Sequence, residues 1–183
     1  LNPASGASEP NTAVIRIYAR DKDKKFSQYK ECRISVDSDT PEIKNLVLKD
    51  MTSIDAASAT AEKVYTESMY VKGDWYLTGT VTDKDMISYL KVGNHELVSG
   101  EKVQSGDTVT WKIKTEDATD ASGNVIGRAT LSSDNKTVSF IYKLETGSGN
   151  GVLSVNLIAK DAVTSGQPHA AGEGKPLVIN YDN

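Results

Sequence analysis

The chain has 183 residues, of which 38% are hydrophobic, 7% aromatic and 25% charged, with a formal net charge of −4. That balance supports a lean core, for one domain or one domain and part of another, and excludes wholesale disorder. An acidic chain with scattered lysines is a poor match for nucleic acid, and no apolar run approaches the ~20 residues of a membrane-spanning helix.

Residues 1–13, which begin LNPASGASEPNT, are rich in Pro, Ser, Gly and Ala and read as a linker. No hydrophobic leader opens the chain, so the expectation is a segment of a longer protein. VIRIYARD (14–21) sets Ile15, Ile17 and Ala19 on one face at strand spacing, DKDKK (21–25) is a charged turn, and YKECRISVD (29–37) alternates through Cys32, Ile34 and Val36. Two strands and a turn make a hairpin, which is marginal in water by itself. Cys32 is the single cysteine, so no internal disulfide forms, and its register predicts that it packs as a small apolar residue.

VDSDTPEI (36–43) then interrupts the alternation with small and acidic residues and Pro41. IKNLVLKD (43–50) is strand-like, and the Ala- and Ser-rich stretch 51–66 reads as loop. DWYLTGTVTD (74–83) alternates Trp75, Leu77, Gly79 and Val81; MISYLKVG (86–93) turns Leu90 and Val92 inward; HELV (95–98) extends or pairs back. DTVTWKIKTED (107–117) alternates Val109, Trp111 and Ile113, and DATDASGNVIG (117–127) reads as a turn-rich insertion. TVSFIYKLET (137–146), VLSVNLIAKD (152–161) and PLVINYD (176–182) alternate again, separated by GSGNG (147–151) and a loop at 162–174. Short strands with turn chemistry between them, and no sustained 3.6-residue period, predict an all-β sandwich or barrel.

The last hairpin echoes the first. IRIYARD (15–21) matches VNLIAKD (155–161) at an offset of 140, and CRISVDS (32–38) matches LVINYDN (177–183) at an offset of 145. Each offset is constant along its strand, so the inward register is kept, and the five-residue change falls in the intervening loop, where insertions are tolerated. Residues 14–38 are therefore expected to be the last two strands of a preceding repeat, residues 39–42 a joint, and residues 43–183 a complete domain. Pro41 suits a joint because it stiffens the backbone and lacks the donor a central strand needs.

GDWYLTGTVTDKDMISYLKVG (73–93) resembles a segment of bacterial immunoglobulin-like (Big-type) tandem repeats, and the two Asp-terminated hairpins resemble their closing strands. The resemblance covers residues 14–50, 73–93, 107–113 and 152–183. Residues 51–66 and 115–136 depart from it as insertions, giving a unit well above the ~100 residues usual for this sandwich. The resemblance implies an immunoglobulin-like antiparallel β-sandwich with loop insertions, acting as a non-catalytic spacer or adhesion module of an extracellular bacterial surface protein. The partners it implies are neighbouring repeats of the same chain, with a host or cell-surface protein or a glycan on any adhesive face. A carbohydrate-binding accessory domain of a secreted enzyme is the alternative.

Chemistry-bearing residues add little to this. Acidic side chains gather where loops at domain ends should lie: Asp37, Asp39 and Glu42 at the joint, Asp83 and Asp85 after one strand, Asp161 after another. Carboxylates from separate loops can supply the six to eight oxygens that calcium takes, although Asp is also favoured in turns for its own hydrogen bonds. No other cofactor is expected. His95 and His169 fall in separate polar stretches without a nucleophile signature and are expected to be solvated, so the chain is not read as an enzyme. Trp75 and Trp111 share faces with apolar neighbours and are expected in the core, with Tyr18, Tyr76 and Tyr89 on the opposite faces.

Overall fold

Alternation at period two sets the backbone. Where Trp75, Leu77, Gly79 and Val81 take one side of the chain, the extended form buries all four on one sheet face. The computed structural model describes residues 11–36, 39–163 and 167–182, and none of these is helical. The chain divides between residues 38 and 39 into two compact units. In the first, β1 (Asn11–Ile17) and β2 (Lys30–Val36) form an antiparallel hairpin that is a two-stranded sheet of its own.

The second unit contains β3 (Glu42–Asp50), β4 (Ala61–Val64), β5 (Met69–Lys72), β6 (Trp75–Thr82), β7 (Ile87–Val92), β8 (His95–Ser105) and β9 (Thr108–Thr115). It continues with β10 (Ala118–Thr119), β11 (Val125–Leu131), β12 (Thr137–Lys143), β13 (Asn150–Val155), β14 (Leu157–Asp161), β15 (Ala170–Ala171) and β16 (Leu177–Asp182). One layer has the strand order β10-β11-β12-β6-β3-β4. The other is made of two sheets, β13-β16-β5 and β15-β14-β7-β8-β9. A single run of chain, broken at Asn156, passes from β13 in the first of these to β14 in the second. The neighbours β3-β6-β12-β11 on one side, against β16-β13/β14-β7-β8 on the other, give the strand order of an immunoglobulin-like sandwich. One pair departs from the antiparallel rule, since β5 runs parallel to β16.

The layers close on one another through Leu48, Leu77, Val81, Val138, Phe140 and Tyr142 from the first and Ile87, Leu90, Val92, Val155, Leu157 and Ile179 from the second, all buried in one cluster. Full burial of a side chain of this size contributes about 1.5–3 kcal/mol. Pro41 is buried at the head of β3, at the strand-start position where a missing N–H is tolerated.

Several elements differ from the sequence reading, among them β4, which lies in the stretch 51–66 read as loop and pairs with β3. The stretch read as a turn-rich insertion carries β11, hidden because two of its inward positions are Gly127 and Ala129. Gly127 is small for a reason: a Cβ there would lie 2.8 Å from the Tyr142 ring and 3.1 Å from Ala118 and Leu97. β5 is only four residues long and begins after Ser68, whose φ is +61°. The stretch 152–161, read as one strand, splits at Asn156 and serves two sheets.

Overpacking a filled core costs about 1–3 kcal/mol. Gly127→Ala is therefore expected to lower the unfolding free energy by that amount, read as a lower urea midpoint at unchanged slope by tryptophan fluorescence.

Candidate functional site

Glu42, Asp83 and Asp85 lie near one end of the second unit, and the carboxylates of Asp39, Glu42, Asp83 and Asp161 have partners there or nearby. Glu42 opens β3 opposite Thr82, next to the turn that holds Asp83 and Asp85. Asp39 Oδ2 lies 3.7 Å from Lys84 Nζ, Glu42 Oε2 lies 2.6 Å from Lys44 Nζ, and Asp83 Oδ1 accepts the Asp85 N–H at 2.8 Å. Asp161 is fully buried; its Oδ1 accepts the His169 N–H at 2.8 Å and its Oδ2 lies 2.7 Å from His169 Nδ1. Asp37 lies outside the described residues. Among the described residues, no group of three or more His, Cys, Asp or Glu side chains is arranged to hold a metal.

Both histidines are bonded rather than simply solvated. The Tyr142 hydroxyl donates to Glu145 Oε2 at 2.7 Å, so its oxygen is left to accept from His95 Nδ1 at 2.9 Å. Burial, with the Glu145 carboxylate next in importance, pushes the Tyr142 hydroxyl far above its ordinary range. Ser88, Asp161 and His169 are the residue types of a nucleophilic triad without its connectivity. The Ser88 hydroxyl donates to the backbone carbonyl of Asp161, while His169 engages the carboxylate; a triad needs the imidazole on the serine oxygen. This Asp161–His169 pair was not legible in sequence, because nothing in the spacing shows that the intervening loop folds back.

The aromatics also sort by burial. Trp75 is buried, its Nε1–H donating to the Lys72 carbonyl at 2.8 Å, and Trp111 is half-buried, donating to the Val163 carbonyl at 3.2 Å. Tyr76 was expected on an open face and is only 4% exposed. Its neighbours across β3 and β12 are Lys49 and Lys143. A groove of about 600 Å³ beneath the 51–60 loop is lined by Met51, Ile54, Thr60, Thr78 and Ile141 among others. Its polar groups are already engaged, Lys49 with Glu62 at 2.8 Å and the Thr78 hydroxyl with the Val47 carbonyl at 3.1 Å. It therefore presents little to orient a ligand.

The most distinctive surface is the first hairpin. Ile15 is paired with Cys32, as Val155 is with Leu177; Asn11 is paired with Val36, as Gly151 is with Tyr181. All the pairs from Asn11 to Ile15 map onto those from Gly151 to Val155 by adding 140 on one strand and 145 on the other. The ladder stops at Leu177 in the last hairpin because Pro176 has no N–H to donate.

The loop locks agree as well. Asp21 N–H donates to the Lys25 carbonyl at 2.9 Å and Lys25 N–H to Asp21 Oδ1 at 2.8 Å. Asp161 N–H donates to the His169 carbonyl at 3.2 Å, and His169 N–H returns to Asp161 Oδ1. What differs is cover. Val155 and Leu157 are each 2% exposed, whereas Ile15 is 44% and Ile17 63% exposed. Cys32, expected to be packed, is exposed for the same reason. Compared with family models, curated proteins and solved structures, the chain has no significant match.

Leaving a buried partner of a hydrogen bond unsatisfied costs about 1–3 kcal/mol. Asp161→Ala removes the acceptor of both the His169 N–H and its imidazole, and is expected to destabilise residues 39–183 by that amount in urea titrations.

Proposed function

We propose that the chain is a non-catalytic spacer or adhesion module of an extracellular bacterial surface protein built from tandem immunoglobulin-like units, with β1–β2 as the closing hairpin of the preceding unit. The observation that carries this reading is the shared ladder register and shared aspartate lock of the first and last hairpins. A closing hairpin directly ahead of a complete sandwich is the arrangement a tandem array produces. The carbohydrate-binding alternative has less support, since burial of Trp75 removes one of its aromatic platforms.

The mechanism is mechanical. Each unit resists extension as a block, because force applied at its ends must break strand pairs between residues far apart in sequence, such as Tyr70 with Asn180. The test is single-molecule stretching. Residues 39–183 are expected to unfold in one cooperative event that releases about 500 Å of contour length, at roughly 3.5 Å per residue. Gradual extension at low force would contradict a load-bearing role.

A further inference from the structure

The closing hairpin of the second unit is held from two sides. β5 lies parallel to β16 from Ile179 to Asp182, and β7 lies antiparallel to β14 from Leu157 to Asp161. The hairpin β1–β2 carries the same ladder and the same aspartate lock, but among the described residues its sheet has no third strand. Its two faces are not alike. On one, Arg16 stacks over Tyr29 at 4.8 Å and pairs with Glu31 at 3.2 Å, and Arg20 stacks over Phe26 at 5.3 Å. Arginines lie over two of its rings, and Val14, Tyr18, Phe26 and Tyr29 remain exposed. The other face presents Ile15, Ile17 and Cys32, matching Val155, Leu157 and Leu177, which the last hairpin turns toward its core.

Resting on the tandem-unit reading, we infer that this face of β1–β2 is a docking surface for one kind of partner, a β-sandwich unit that lacks its own closing hairpin. Such a unit lays a short strand parallel to residues 34–36, as β5 does on β16, and a second strand antiparallel to residues 17–21, as β7 does on β14. Its inward apolar side chains cover Ile15, Ile17 and Cys32. A second copy of this chain does not fit the role, because its β5 and β7 are already taken by its own β16 and β14.

The test offers those two strands to the hairpin. In the full chain, residues 151–182 are replaced by a second copy of residues 11–37. A control graft carries one extra residue after Glu31 of that copy, which turns the following side chains to the wrong face. The in-register graft is expected to slow amide exchange in β5 and β7 by about tenfold or more relative to the control. Because smaller side chains could unfold the first graft, another carries Ala13→Leu, Cys32→Leu and Val36→Tyr in the grafted copy, restoring the volumes of Leu153, Leu177 and Tyr181. Protection in either in-register graft supports the inference, and exchange at the control rate in both overturns it. A stable dimer of the unaltered chain in which Cys32 resists thiol labelling would also overturn it, by assigning the face to a second copy. Failure of the grafts leaves the stretching behaviour of residues 39–183 untouched, and failure to bear load leaves the grafts untouched, so the docking inference and the load-bearing role fall separately.

Discussion

At Asn156 the chain stops pairing with β16 and begins pairing with β7, and its carbonyl accepts the Gly93 N–H at 2.7 Å. The two sheets of the second layer belong together because one run of chain serves both. Val155 and Leu157, on either side of the switch, are both buried in the central cluster, so the switch also places the seam over the core. It further sets an order of events. β5 lies near residue 70 and its partner strand near residue 180, so the layer cannot close until the last segment arrives, a long-range pairing of the sort that slows folding.

The first hairpin has the same ladder and loop lock with no third strand among the described residues. Its ladder and loop lock need only local contacts, and they form. Its inward isoleucines need strands from elsewhere, and they stay exposed. A two-stranded sheet with a bare apolar face gains little from burial, the term that has to offset its loss of chain entropy. The aspartate at the end of the penultimate strand is a structural element in both hairpins. In the first it ties down a short turn, and in the last it holds a longer loop through both oxygens to His169. The insertion that lengthens that loop therefore changes the residue locked and not the lock.

The sandwich class was legible in the sequence wherever inward residues were large. Trp75 to Val81 and Val138 to Leu144 declare their faces by alternation, and the structure buries them accordingly. β11 escaped because Gly127 and Ala129 leave room for Tyr142 and its neighbours, and small residues carry no periodic signal. β5 is too short to show a period, and its parallel pairing with β16 has no local signature at all. The switch at Asn156 is invisible for a related reason, since both halves of 150–161 keep the same alternation. Tyr76 was misplaced because alternation identifies the outer face but not what covers a ring there; it is buried between strands β3 and β12. The partners of Asp39, Glu42, Asp83 and Asp161, a lysine, a backbone N–H or His169, depend on loop geometry that spacing does not encode.

The central claim is that residues 11–36 share the ladder register of the last hairpin but not its cover. Native-state amide hydrogen exchange on the 183-residue chain tests it most directly. The account predicts that β1 and β2 exchange orders of magnitude faster than β13, β14 and β16, despite the shared ladder. Equal protection of the two hairpins would contradict it.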